Sequence, residues 1–448
     1  MDMPTEIWQL VLNVIHDKAT IARVGRTCKF FRELAIPLLY RRFETFALNH
    51  DGGPMQYQSL SAFIRTITNH PHLAQVVTEM NCTTSAFTKH YDREDLFNCY
   101  SQYDSALVGD VARRLGVPPA NIRMSSGALW TISSTSSFMH QLLVCLLPNL
   151  RTLKLRVPSS SSGFSDCLSI WAKAPSNRLW TLSELEIEDE SLSRRFNFSY
   201  VQDLIRYAPN LEYLSLKRCF STTADYALDL RNLKRLRIIE SRFHREGLFL
   251  WRNCVRLEHF TYISFGPHWA IDRLPAEIVV ALEPARETLK RLEIFHFAHN
   301  GQRELHQGIE TLRDFSVLRT VALNPSALST HSDLLDPLHE SAIDPRILAD
   351  KLPTSLVALT LVNVSPHMFQ AVKHLAECAI REDFPELRTV SIAGGPPKSK
   401  PNVDWAAPVT FNEAEWQELR SLFWRANVEL HSQNDWWPHL RTLCDMPT

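Results

Sequence analysis

The pattern L-x-x-L-x-L returns nine times in this chain, and no other feature narrows the possible folds as much. The units are Leu150–Leu153–Leu155, Leu182–Leu185–Ile187, Leu211–Leu214–Leu216, Leu233–Leu236–Ile238, Leu257–Phe260–Tyr262, Leu289–Leu292–Ile294, Leu318–Val321–Leu323, Leu356–Leu359–Leu361 and Leu387–Val390–Ile392. Start-to-start spacings are 32, 29, 22, 24, 32, 29, 38 and 31 residues. Alternation in the second half of each unit gives a short strand with one apolar face. No single unit can bury its own leucines, so the units must stack. Pro148, Pro209 and Pro385 announce three of them.

Helical patterns lie between the strands. Val201, Leu204, Ile205 and Ala208 share a face, as do Ile278, Val279 and Leu282, then Leu305, Ile309 and Leu312. Phe369, Val372, Leu375 and Ala376 follow, then Trp416, Leu419 and Phe423. Strands alternating with helices predict parallel strands joined by right-handed crossovers. The unit resembles a leucine-rich repeat, which normally runs about 20–29 residues with Asn or Cys at the ninth position. Only the third unit keeps that residue, as Cys219, so these are long, divergent repeats. The resemblance implies an irregular α/β solenoid closed at both ends, by the N-terminal region through residue 140 and by a segment 411–444 holding Trp416, Trp424, Trp436 and Trp437.

The first forty-three residues carry more apolar surface than so short a unit can bury. Pro4 opens a helix at a position where a missing N–H costs nothing. Ile7, Leu10, Val11 and Val14 make one apolar face, and Trp8, Leu12 and Ile15 a second stripe. One stripe can pack on the next two short segments, TIARVGRTCKFFRELA and IPLLYRRF. The other, read as Trp8, Leu12 and Ile15, is left over, and exposing it would forfeit roughly 1.5–3 kcal/mol per side chain. Its cover is either a partner protein or the remainder of the same chain.

The order Pro4-x-Glu6-Ile7, Leu10-Val11-Leu12, Ile15, Ile21, Val24, Cys28-Lys29-x-Phe31, Leu34-Ala35 and Pro37-Leu38-Leu39-Tyr40 resembles an F-box of the filamentous-fungal type. Met3 stands where Leu is usual before the proline, and Gly25 falls inside the second expected helix, at about 1 kcal/mol against Ala. The resemblance implies three helices that dock on the Skp-type adaptor of a Skp–cullin–F-box (SCF) ubiquitin ligase, and through it on a cullin. The chain would then be the non-catalytic receptor that presents an unidentified client protein. The alternative is a leucine-rich-repeat scaffold or binding protein independent of ubiquitination. The residues that would meet the adaptor are Pro4, Ile7, Trp8, Val11, Leu12, Ile15, Val24, Cys28, Phe31 and Leu34. The expected domains are an F-box over 1–45, a linking helical region over 46–140, the solenoid over 141–430 and a tail over 431–448. In the linking region, Leu60, Phe63, Ile64 and Ile67 suggest a helix, and Leu73, Val76, Val77 and Met80 a degenerate first repeat. Residues 83–130 read as an insertion with a helix near 105–115. Ser159–Gly163 and the Gly394-Gly395-Pro396-Pro397 run read as loops.

A net charge of −1 gives no footprint for nucleic acid or an anionic membrane. No run approaches the roughly 18 apolar residues of a membrane span, and the acidic MDMPTE start is unlike a signal peptide. Nine scattered cysteines with no C-x-x-C argue against zinc and disulfides, and for a reduced cytoplasmic or nuclear setting. H-E-x-x-H, G-x-S-x-G, G-x-G-x-x-G and phosphate-loop motifs are all missing from the sequence, so no catalytic residue, metal or cofactor is assigned. His296 and His299 sit three apart without a supporting ligand. Cys28 reads as a small buried side chain. Within each strand the third, fifth and seventh residues should face solvent. That would set Ile239, Ile263 and Phe295 in a row beside Arg235, Arg237 and Arg291, a composition suited to gripping a client with an apolar anchor and acidic or phosphorylated residues.

Overall fold

A computed structural model describes residues 3–15, 17–45, 55–83, 103–116, 132–157, 179–189, 196–197, 202–221, 228–243, 251–264, 275–296, 308–328, 344–364, 366–393 and 411–433. Its strands are β1 (Arg42–Thr45), β2 (Glu79–Thr83), β3 (Thr152–Val157), β4 (Glu184–Asp189), β5 (Phe196–Asn197), β6 (Tyr213–Lys217), β7 (Cys219–Ser221) and β8 (Arg235–Ile239). After them come β9 (Arg242–Phe243), β10 (His259–Ser264), β11 (Arg291–His296), β12 (Thr320–Leu323), β13 (Ala358–Val362), β14 (Thr389–Ala393) and β15 (Glu429–Gln433). The fold is α/β. Twelve strands form one parallel sheet in the order β1-β2-β3-β4-β6-β8-β10-β11-β12-β13-β14-β15, and β5, β7 and β9 form a small second sheet. The chain divides into two compact units, residues 1–214 and 215–448.

All nine L-x-x-L-x-L units supply a strand of the large sheet, and three further strands extend the series. β1 and β2 come from segments whose apolar pattern is Phe43 and Val77–Met80–Cys82, with no leucine in the key places. β15 begins inside the expected solenoid and runs across residue 430 to Gln433, so the expected boundary there cuts a strand. The helix expected near 105–115 spans Tyr103–Arg114. The expected helix through Leu305, Ile309 and Leu312 differs: 308–312 is irregular, with Ile309 and Leu312 buried but tied by backbone bonds to Ala327 and Lys351. The Ser159–Gly163 and Gly394–Pro397 loops, Val201, His299, Leu305, Trp436, Trp437 and most of the 83–130 insertion lie outside the described residues.

Register is fixed by one recurring device. Counting the first leucine of a unit as position 1, the carbonyl at position 2 accepts N–H donors from positions 2 and 3 of the next unit. In the first unit of the chain, Thr78 O accepts from Arg151 and Thr152, Arg151 O from Ser183 and Glu184, and Ser183 O from Glu212 and Tyr213. In the second, Lys234, Glu258, Lys290, Arg319 and Val357 do the same. The residue just before the leucine adds a side-chain bond to the preceding turn. Asn149 Nδ2 donates to Gln75 O at 2.7 Å and Asn210 Nδ2 to Trp180 O at 2.8 Å. Thr181 and Thr288 hydroxyls donate to Leu150 O at 2.8 Å and Leu257 O at 2.9 Å. This is why Pro-Asn announces repeats: the asparagine amide satisfies a carbonyl that the crossover would otherwise strand.

Position 8 carries a second device in the C-terminal unit. Arg218, Glu240 and Asn363 all occupy it, and all have positive φ, at 57°, 49° and 60°. The turn aims each amide at the neighbouring strand, with N–H donors reaching Ile239 O at 2.8 Å, Ile263 O at 2.7 Å and Ala393 O at 3.0 Å. Those bonds offset the strain of a side chain in the left-handed region. At position 9, where the repeat pattern has only Cys219 to offer, the working group is Ser241. Its buried hydroxyl accepts from Cys219 N at 3.0 Å and stands 3.1 Å and 2.9 Å from Leu216 O and Ile239 O.

Candidate functional site

Two surfaces were candidates for binding: the N-terminal helices and the outward side of the strands. The helices are α1 (Thr5–Val14), α2 (Lys18–Val24) and α3 (Lys29–Tyr40). Their boundaries differ from the expected segments, because the break falls at Gly25–Cys28 and KFFRELA runs on through Pro37 into a single helix. Asp17 caps α2, accepting from Ala19 N at 3.1 Å and Thr20 N at 2.9 Å. The Thr20 hydroxyl foremost, then these amides, holds its carboxyl below the usual range. Gly25 is not inside α2 but just past its end, where a β-carbon would meet Ala35 Cβ at 2.9 Å. The glycine therefore permits the close approach of α2 and α3.

The two stripes of α1 exchange their expected roles. Leu12 is buried with Ile21 and Ala35 in the core of this helical cluster. Trp8 is half-buried, its ring edge-on to Phe31 at 4.9 Å. Ile15 is half-buried as well. The stripe left in solvent is Ile7, Leu10, Val11 and Val14, at 42, 61, 45 and 74 % exposure, with Met3 and Phe30 also exposed. Of the remaining adaptor candidates, Pro4 is exposed and Val24, Phe31 and Leu34 are half-buried. Cys28 corrects the sequence reading: it is exposed, because as N-cap of α3 it leaves the helical path at φ −157° and turns its thiol outward. Leu10, Val14 and Phe30 were not among the adaptor candidates. Both stripes have the same helical period, so only the burial of Leu12 tells which one is spare.

On the strands, the expected apolar row fails. Ile239, Ile263 and Phe295 are adjacent in register, but they are 1, 0 and 0 % exposed and belong to the core. Strand alternation assigned them to the outward side, yet position 7 falls in the last two residues of its strand, with Ile239 ending β8 and Ile263 and Phe295 one residue short of the ends of β10 and β11. There the alternation of the strand no longer decides exposure. What the strands offer to solvent is charge. In the N-terminal unit it is largely paired across strands, Lys154 with Glu186 at 2.9 Å and Arg156 with Glu188 at 3.1 Å. In the C-terminal unit, Arg235 and Arg291 are exposed and Arg237 is half-buried. Arg291 Nε donates to Glu293 at 2.8 Å, and Thr261 donates to the same buried carboxylate at 2.8 Å. Between the two exposed arginines lies His259, in direct register with both. Burial first, then the charge of Arg291, pulls its pKa below the ordinary histidine value, and Glu258 opposes the shift.

Among the described residues, no group of three or more His, Cys, Asp or Glu side chains could hold a metal ion. The Cys254 thiol is pushed up to about 12 by burial, which removes the thiolate a nucleophile needs. Cys378 lies 3.5 Å from His374 Nε2, but burial raises its pKa as well. No described helix is long and apolar enough to cross a membrane.

No family model matches the chain, and no curated protein matches it either.

Proposed function

We propose that this chain is a non-catalytic receptor subunit of an SCF-type ubiquitin ligase, with an F-box in α1–α3 and a leucine-rich-repeat-like solenoid that presents a client protein. The reading is carried by the stripe Ile7, Leu10, Val11 and Val14, which stands in solvent on a helix whose other stripe is already used. Four branched aliphatic side chains in one row, if fully covered, would gain roughly 1.5–3 kcal/mol each. An unpartnered patch of this kind marks a protein-interaction site. The resemblance of the surrounding residues to an F-box supplies the partner: a Skp-type adaptor, and through it a cullin. The receptor then acts by raising the effective concentration of the client near a ubiquitin-charged enzyme, and no residue of its own does chemistry. Its setting is the cytoplasm or nucleus.

Co-expression with a Skp-type adaptor and affinity capture tests this. The wild-type chain should retain the adaptor, and Leu10→Glu with Val14→Glu should lose it while keeping the wild-type circular dichroism spectrum. Equal capture by both proteins would overturn the reading. Recovery of adaptor without cullin would favour a scaffold that acts independently of ubiquitination.

A further inference from the structure

We propose that the outer edge of β15 receives the segment Pro438–Leu443 of a second copy of this chain, so that two copies exchange these segments and join their sheets. β15 is the last strand of the large sheet and pairs with β14 alone among the described residues. Its Glu429 N–H donates to Arg388 O. In a parallel ladder alternate residues turn their backbone groups to opposite sides. Val428 O and the N–H and C=O of Leu430 and Ser432 therefore point away from β14. The apolar ladder is unfinished there too. Leu430 is half-buried, whereas Val321, Leu359 and Val390 in the same register are fully buried. Trp424 is 84 % exposed and borders a groove of about 710 Å³ that Val428, Leu430 and His431 also line. An edge of this kind is a template for one more strand.

The occupant is written in the sequence. Pro438-His439-Leu440-Arg441-Thr442-Leu443 matches Pro148-Asn149-Leu150-Arg151-Thr152-Leu153 at five of six places, and Pro385-Glu386-Leu387-Arg388-Thr389-Val390 at four. Those two openings lead into β3 and β14, and their position-2 and position-3 amides donate to Thr78 O and Val357 O. The equivalent acceptor for Arg441 and Thr442 is Val428 O, which sets Leu443 against Leu430. Asp445 holds position 6 in place of an aliphatic residue, so the added strand is short. Eight residues, 434–441, separate the end of β15 from Thr442. A parallel return to the same edge needs about a dozen or more. The shortest between neighbouring strands of this sheet takes the 17 residues 218–234. The segment therefore fits parallel to the β15 of a partner copy and not to its own. About a twofold axis, each segment runs antiparallel to its own β15, with the partner's segment between them. The connection then spans two strand spacings, about 10 Å, and eight residues reach about 26 Å. The contact is self-complementary and closes at two copies. It uses no part of α1 and stands apart from the receptor reading.

The test uses the full chain. Sedimentation across a concentration series should show a reversible dimer. Thr442→Pro removes one of the two amides offered to Val428 O, and Leu443→Asp sets a carboxylate against Leu430. Together they should weaken the dimer at least about tenfold with an unchanged circular dichroism spectrum. His431→Cys places a thiol opposite Cys444 of the added strand, since both hold position 5. Diamide oxidation of that variant should give a disulfide between copies, a band of twice the chain mass that Cys444→Ser abolishes. Leu10→Glu with Val14→Glu should leave the dimer intact. A monomer at every concentration, a dimer that survives Thr442→Pro with Leu443→Asp, or a dimer lost on changing α1 would each overturn the proposal. A disulfide confined to one chain would overturn it as well, by giving the edge to the chain's own segment.

Discussion

Replacing Ser241 by alanine deletes one buried oxygen and with it the bridge between two neighbouring repeats. The amide of Cys219 loses its acceptor at 3.0 Å, and one of the carbonyls of Leu216 and Ile239 loses a donor. A hydroxyl has a single proton, so only one of those carbonyls is deprived at a time. Both residues at the bridge are buried, and water does not replace the missing partner. An unmade bond at a buried group costs about 1–3 kcal/mol, and the carbonyl can fall back on its second lone pair, so we expect a loss of roughly 2–3 kcal/mol. Read as local opening, that is roughly a 30- to 150-fold faster exchange of the Cys219 amide in the regime where exchange tracks the open population. Hydrogen exchange with fragment-level mass readout across Leu216–Ser241 measures it. Cys219→Ala is the companion: it keeps the amide that Ser241 accepts from and removes the thiol with its 3.5 Å contact to Lys217 O, so the bridge should hold. If Ser241→Ala changes exchange at Cys219 by less than about threefold, the bridge is not what ties these repeats, and the argument fails.

Four further outcomes follow from the same structure. Leu12→Ala should cost about 2–5 kcal/mol in denaturant unfolding of the N-terminal unit, while Leu10→Ala stays within about 0.5 kcal/mol, and the reverse order would undo the assignment of the α1 faces. Gly25→Val places carbon atoms against Ala35 and should destabilise the helical cluster by about 1–3 kcal/mol, whereas a wild-type melting curve would show that α2 and α3 are free to separate. Lys351 donates to Ile309 O and Leu328 O, both at 2.6 Å, so Lys351→Met should strand two carbonyls and lower stability by about 1–3 kcal/mol, read as a shifted urea midpoint. For His259 the folded pKa lies below the unfolded value, so the unfolded chain binds the proton more readily. Stability should therefore fall as pH drops below the ordinary histidine value of about 6.5 and level off below the folded pKa. The groups facing the imidazole are Arg235 on β8, Arg291 and Lys290 at β11 and the neighbouring Glu258. His259→Asn should remove that share of the pH dependence, and an unchanged slope between wild type and variant would refute it.

Much of the strand series was open to inspection in the linear pattern, and the exceptions have physical causes. β1 and β2 lack the leucines and β15 keeps only Leu430, in register with Val390, but all three keep the backbone ladder, since Thr78 and Glu79 donate to Arg41 O and Glu429 to Arg388 O. A main-chain device leaves no mark on side-chain composition. Ser241 is silent in the linear pattern for a related reason: the repeat pattern has Asn or Cys at the ninth position, while any small side chain with a hydroxyl can bridge the same three backbone groups. The pattern Leu305, Ile309 and Leu312 predicts a helix, and in its described part, 308–312, Ile309 and Leu312 are buried at helical spacing, yet their amides bond to Ala327 and Lys351 instead of to a preceding turn. Spacing reports burial; it does not report where the N–H groups go.

By itself, then, the amino-acid order determined the alternation and the series of parallel strands, because each depends on the local apolar pattern and on bonds the backbone must make. Only the tertiary structure decided which side of α1 stays bare and that Ile239, Ile263 and Phe295 are core. A helix with two apolar stripes is ambiguous until α3 brings Phe31 to Trp8, and a strand position is outward only until something distant covers it. Exposure is set by what the rest of the chain places nearby, and periodicity holds no record of that.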